Sequence, residues 1–402
     1  MTQFSRCVRI ECMMDGSQDP SDGRSALDLA DADFPIRASY AFFNHAGTSP
    51  LPRVAAEAVA GYASEFSRHG WMSRGRWNAT LQSCRRLIAG KMGCEPSEIA
   101  FCANTTAGIG FAANGINWRP GDNVVLANVE YPANVYPWWA QQHRGVTLKF
   151  VQDRGGRLRL EDYFDAIDGR TRAVAVSHVQ FATGCRIDLE ALGEFCEKRG
   201  VLLVVDAIQS LGALPVNVRT ARVAALACGS HKWLLSPLGL GIFYCRKDLC
   251  ERLRVWAPGA ESVVRKPGTY LDYRLDLREG AGRFEAGSLN LAAICGLEAV
   301  LRMMESIGEQ RIERRIRSLT DHLCRGLQER GCELVSSRAE GEWSGIVVFS
   351  HPKCPARDVV DALARRQVIV ALREGRVRVS PHFYNTEDEI ERLLRAVDQL
   401  II

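Results

Sequence analysis

A chain of 402 residues with 47% apolar side chains can bury a large core, and it is long enough for one large α/β domain and a smaller one. The net charge of +4 is small for that length, with no lysine/arginine block dense enough for nucleic acid and no apolar run near the ~18 residues of a membrane span. The 14 cysteines include no Cys-x-x-Cys pair and lie in apolar contexts such as Phe101-Cys102, which points to reduced thiols in a cytoplasmic protein and to no metal site.

Residues 1–24 are rich in Asp, Ser and Gly and lack the continuous apolar core of a secretory signal, so a mobile tail is expected. The segment 25–54 contains Tyr40-Ala-Phe-Phe43, where ordered structure starts, and a loop, Asn44 to Pro52, expected near the active site. Residues 55–289 read as the large domain. Short apolar runs alternate there with helical patterns: Ile99–Cys102, Val124–Ala127, Leu148–Val151, Ala173–Ser177, Val201–Val205, Ala224–Cys228 and Gly241–Cys245. Seven such strands with helices between them predict an α/β fold around a mostly parallel sheet covered on both faces.

The pattern changes near residue 290, and 290–402 read as a smaller α+β domain. Two helices are expected over 291–330, then strands at Gly345–Ser350, Val368–Ala371 and Arg376–Val379. A last helix starts at a capping box, Thr386-Glu-Asp-Glu389, with Ile390, Leu393, Leu394, Val397 and Ile401 on its apolar face.

The chemistry centres on Asp206 and Lys232. Asp206 follows a continuous apolar run, so it emerges at the carboxyl end of a buried parallel strand, where α/β proteins bind ligands. A lysine amine can form a Schiff base with an aldehyde cofactor, and a carboxylate can keep a ring nitrogen protonated. Pyridoxal phosphate needs both. Asn104-Thr-Thr106 opens a helix after a strand, and its N–H groups with Thr105 and Thr106 suit an anion, although plain N-capping uses the same residues. Tyr131 follows the strand at Val124–Ala127 and can stack on a ring. Gln209 can donate to a ring oxygen and His231 to a phosphate oxygen. Arg376 and Arg378 alternate onto one strand face; Arg378, with Arg373 as a second candidate, can grip a substrate carboxylate. A rival pattern exists: Gly108-Ile-Gly110-Phe-Ala-Ala113 fits a dinucleotide fingerprint, with Glu130 about 20 residues on. That reading, a nicotinamide dehydrogenase, leaves Asp206, Gln209 and Lys232 unexplained.

Taken in order, Phe43-Asn-His-Ala-Gly47, Asn104-Thr-Thr106, Glu130-Tyr-Pro-Ala-Asn134, Asp206-Ala-Ile-Gln209, Ser230-His-Lys-Trp233, Phe284-Glu-Ala-Gly-Ser288 and Arg378-Val-Ser-Pro-His-Phe-Tyr-Asn385 resemble the class V aminotransferases among the fold-type I pyridoxal-phosphate enzymes. The resemblance implies a homodimer with Lys232 as the Schiff-base residue and Asp206 as the pyridinium partner. It implies Gln209 at the phenolic oxygen and Tyr131 on the ring, where relatives often have histidine. Thr105, Thr106, Ser230 and His231 would serve the cofactor, and Ser288 the phosphate of the neighbouring subunit. Arg378, Arg373, Asn44 and His45 would face an amino-acid substrate. Cysteine desulfurases of this family carry a nucleophilic cysteine shortly before the substrate arginine. Only Glu374 to Val377 separate Arg373 from Arg378 here, with no cysteine, and the nearest is Cys354. The wording is closer to the isopenicillin N epimerase-like members. Aminotransferase-type chemistry is therefore expected, with epimerase and β-lyase or desulfurase chemistry as alternatives that share these motifs.

Overall fold

The computed structural model describes residues 33–266 and 268–399. The expected tail 1–24 and Ile401 lie outside these residues. A short strand, β1 (Ala41–Phe42), precedes two long helices, α1 (Arg53–His69) and α2 (Arg74–Met92). The seven strands expected from the apolar runs follow: β2 (Ile99–Cys102), β3 (Asn123–Ala127), β4 (Thr147–Val151), β5 (Thr171–Ser177), β6 (Leu202–Asp206), β7 (Ala225–Gly229) and β8 (Gly241–Cys245). They form one sheet in the order β2-β8-β7-β6-β5-β3-β4. Neighbours from β7 to β4 are parallel, and β8 runs antiparallel to both β7 and β2. All strands but β8 therefore point the same way. The carboxyl ends of β2, β6 and β7 share one edge with the start of β8, where Gly241 pairs with both Cys102 and Gly229. A Cβ on Gly241 would lie 2.9–3.0 Å from the backbone of Asn104, so only glycine lets the segment after β2 cross this edge.

The helices threaded through the sheet are α3 (Thr105–Gly115), α4 (Tyr136–Trp139), α5 (Leu160–Ala166), α6 (Leu189–Lys198) and α7 (Lys247–Arg252). Strands β3, β7 and β8 are buried along their whole length, which is why they read as unbroken apolar runs. Helix α6 shows the local logic. Asp188 accepts the N–H groups of Glu190 and Ala191, and Leu189, Leu192 and Cys196 turn into the core.

Beyond the sheet, α8 (Leu291–Ile307) packs on α1 and α2, and α9 (Glu309–Glu329) follows. A second sheet has four antiparallel strands in the order β12-β13-β10-β9: β9 (Glu333–Leu334), β10 (Val347–Ser350), β12 (Ala371–Arg373) and β13 (Arg376–Val379). Helices α10 (Ala356–Arg365) and α11 (Glu387–Asp398) flank it; α11 carries the expected capping box. One expectation needs correction. The run Val368–Ala371 is not a single strand: β11 (Val368–Ile369) pairs in parallel with β1, and after Val370 the chain joins β13 instead.

The residues before α1 thus tie two sheets together. Beyond the β1–β11 pairing, Asn44 bridges to Ser380, and Ser49 donates its hydroxyl to the Lys232 carbonyl at 2.6 Å. The segment 41–49 is a hydrogen-bonded strap between the end of β13 and the Lys232 turn.

Candidate active site

A cavity of about 440 Å³ opens at the shared carboxyl edge. Strand β6 delivers Asp206 to it, the turn after β7 delivers His231 and Lys232, and the segment after β2 delivers Asn104 to Thr106. Tyr131 and Phe181 come from the loops after β3 and β5, Asn44 from the strap, and Arg373 and Arg378 from the second sheet.

Asp206 is 2% exposed and accepts the Ile208 N–H at 2.9 Å. Burial, reinforced by Glu130, pushes its carboxyl up to about 7, against the pull of Lys232. A cation beside it favours the charged form. Lys232 is 9% exposed; burial holds its ammonium down to about 8, although Asp206 opposes that shift. Its Nζ lies 5.6 Å from the Tyr131 ring centroid, and Tyr131 meets Phe181 edge-on at 5.1 Å. The backbone around the lysine is clamped. Ser49 N–H donates to the His231 carbonyl, and Leu235, at φ 50°, closes the turn by donating to the Lys232 carbonyl.

Thr105 and Thr106 have different tasks. The Thr105 hydroxyl accepts the Gly229 N–H at 2.9 Å and fastens α3 to the end of β7. Thr106 is exposed in the first turn of α3 behind the Asn104 cap, free to meet an anion. His231 lines the same cavity with its pKa lowered, first by burial and then by Lys232.

Arg378 is 1% exposed, from β13, an inner strand of its sheet. It donates to the Phe181 carbonyl at 3.0 Å and to Asn44 Oδ1 at 3.5 Å, while its buried Nε has no partner. Burial first, and Arg373 second, disfavour its charge. Such an unsatisfied buried donor calls for an acceptor such as a carboxylate.

Four expected residues lie elsewhere. His45 is fully buried with Nδ1 on the Ser380 carbonyl and Nε2 on the Tyr384 hydroxyl, both 2.7 Å, so it braces the strap and does not reach the cavity. Gln209 donates to the Ala46 carbonyl and accepts from Trp233 Nε1, each at 3.0 Å, which commits its amide behind the cavity wall. The Ser230 hydroxyl is buried on the Leu240 carbonyl. Ser288 is exposed and lines a separate groove with Trp71 and Arg74, so within one chain it has no part in this cavity. The base of its loop is fixed by Glu285, which accepts from Arg85 and from the Phe101 N–H.

Sequence reasoning missed Phe181 and Ser49. Both act largely through the main chain or by clamping it, and neither leaves a motif. The dinucleotide pattern dissolves: Gly108 and Gly110 lie within α3, and a Cβ on Gly108 would be 2.7 Å from Ala227 Cβ, so this glycine serves helix-to-sheet contact. Glu130 faces inward, accepting from Ser177, Gln180 and Asn134, and is not placed for a ribose.

The link between the two arginines is a two-residue hairpin. Glu374 and Gly375 both have positive φ, 46° and 72°, as a tight primed turn requires. A Cβ at Gly375 would touch nothing, so Gly375→Ala should cost only the left-handed conformation, about 1–2 kcal/mol. Urea unfolding should show this as a lower midpoint at unchanged slope; an unchanged midpoint would show that the turn is not held in this form.

The model of the family described as aminotransferase class-V matches residues 41–393. A probable cysteine desulfurase from Methanothermobacter thermautotrophicus is 31% identical, over 92% of this chain and 96% of its own. The apo structure of a cysteine desulfurase from Thermococcus onnurineus superposes with a TM-score of 0.86 at 28% identity, covering 94% of this chain and 98% of that one. A cystine C–S lyase complexed with its product, cysteine persulfide, shares the fold at a TM-score of 0.84 and 24% identity, over 91% of this chain and 99% of the other.

Proposed function

Because the chain belongs to the aminotransferase class-V family, we propose that it is a pyridoxal-phosphate-dependent enzyme that acts at the α-carbon of an amino acid, with Lys232 as the amine that holds the cofactor. The observation that carries this reading is the convergence of Asp206, Lys232 and Arg378, whose Nε is buried without a partner, on one cavity. Bound pyridoxal phosphate supplies an aldehyde for an amine and a ring that accepts electrons. The residues present fit it: Thr106 and His231 for the phosphate, Asp206 for a protonated ring nitrogen, and Tyr131 for a ring face.

The chain's own work is binding and proton transfer. Arg378 holds the substrate carboxylate, which orients the α-carbon toward Lys232. The freed Lys232 amine, depressed toward neutrality by burial, takes the α-proton as a general base and can return it. Where the proton returns separates transamination from epimerisation. Aminotransferase-type chemistry is the first reading. We also propose a homodimer, supported by the exposed Ser288 loop, which would complete the partner's phosphate site.

Carbon–sulfur cleavage is a second reading, favoured by the two cysteine desulfurases above. Here only the turn at Glu374-Gly375 and the first two residues of β13 separate Arg373 from Arg378, with no cysteine among them, and no cysteine among the described residues lines the cavity. Sulfur would then leave on a small molecule and not on the protein.

The test is direct. The purified protein should be yellow, and borohydride should leave a pyridoxyl mass on the Lys232 peptide. Loading of cofactor-stripped protein should speed up as pH rises through about 8, because a lowered lysine pKa frees the amine there. A half-point near the ordinary lysine value, or an adduct on another lysine, would sink the assignment. Products from amino-acid panels, read by mass spectrometry, separate the two readings.

A further inference from the structure

The substrate side of the cavity holds more positive charge than one α-carboxylate uses. Lys232, Arg373 and Arg378 line it against a single carboxylate, Asp206. Among the described residues the acceptors recorded for the two guanidiniums are all neutral: Leu372 carbonyl for Arg373, Phe181 carbonyl and Asn44 Oδ1 for Arg378. Arg378 also keeps its buried Nε unpartnered.

The hairpin fixes this pairing. Across β12 and β13, Ala371 faces Arg378 and Arg373 faces Arg376. Arg373 and Arg378 are therefore diagonal neighbours on one face, a relation that sets residues ~7–8 Å apart. The two left-handed residues at the tip hold that register. Two like charges are thus held on one face of the hairpin, with no carboxylate bonded to either among the described residues. The cofactor phosphate does not account for the second one, because its expected seat is the start of α3, which reaches the cavity from β2 and not from the hairpin.

We propose that the substrate is an α-amino acid bearing a second anionic group on its side chain, a carboxylate or sulfinate, with Arg378 taking the α-carboxylate and Arg373 the side-chain acid. This rests on the reading of Lys232 and Arg378 given above and goes beyond it by naming the substrate class.

The experiment is a titration of the cofactor-loaded protein, followed by the change in its visible absorption. L-aspartate, L-glutamate and L-cysteine sulfinate are compared with L-asparagine, L-glutamine and L-alanine. At least one acidic ligand should bind ~10-fold or more tightly than its neutral counterpart, as a charge-assisted hydrogen bond provides. The best of the three identifies the acid and its spacing. In R373Q the ratio of acidic to neutral affinity should fall to near one, whatever the change in the affinity for L-alanine itself. Equal affinity for acidic and neutral ligands in a chain that carries the Lys232 adduct overturns this inference alone. Survival of the preference in R373Q also overturns it, as does loss of cofactor on dialysis of R373Q with the preference unchanged, which would assign Arg373 to the phosphate. Absence of any borohydride-stable adduct on Lys232 removes the functional reading itself, and this inference with it.

Discussion

Replacing Lys232 by alanine is expected to lower turnover by at least ~10³-fold, the upper part of the range for a positioned acid–base group, with the covalent anchor lost as well. The fold should survive. The Ser49 hydroxyl and the Leu235 N–H bond the backbone carbonyl of residue 232, and both contacts persist without the side chain. Removing a buried cation also relieves the desolvation that lowers its pKa. The variant should therefore melt near the parent temperature, bind cofactor only reversibly, and show no pyridoxyl mass after borohydride. Single-turnover kinetics would measure the chemical step apart from cofactor binding. Turnover within tenfold of the parent in a well-folded Lys232→Ala protein would place the base elsewhere.

The second large effect belongs to Arg378. Its guanidinium is buried, half-satisfied and lines the cavity, so the bond proposed between it and a substrate carboxylate would be desolvated on both sides. Truncating one member of such a pair costs about 2–5 kcal/mol. Arg378→Ala should raise KM by at least ~30-fold, with a smaller change in kcat, because the carboxylate is held in both ground and transition states. The Phe181 carbonyl and Asn44 lose a donor in this variant, so Arg378→Lys provides the control: it keeps the charge but not the fork, and should fall between the two. A KM unmoved by Arg378→Ala would show that the carboxylate binds elsewhere.

Much of this architecture was legible in the chain because a doubly covered parallel sheet demands continuous apolar strands. All seven runs became strands within a residue or two, and Asp206 closes β6 as expected. What stayed hidden has physical reasons. The run from Val368 reads as one strand because β-branched residues state a preference for extended backbone and not a partner; the switch of sheets at Val370 is a tertiary decision. His45 and Gln209 belong to recognisable motifs, yet the direction of His45 is set by Ser380 and Tyr384 and that of Gln209 by Ala46 and Trp233, all at least 24 residues away in sequence. The Phe181 contribution to Arg378 is a main-chain carbonyl, which any residue could have supplied. Lys232 and Arg378 were readable because each needs a particular functional group.

The strap at residues 41–49 gives the site a ruler. It is hydrogen-bonded to Ser380, two residues beyond Arg378, at one end and to the Lys232 turn at the other. The strap thus ties the lysine turn to the end of the strand that carries the guanidinium, beside the direct bond between His382 and the Trp233 carbonyl. Inserting one residue between Ala46 and Ser49 is therefore expected to shift the Lys232 turn against the strand of Arg378, which steady-state kinetics would read as a raised KM.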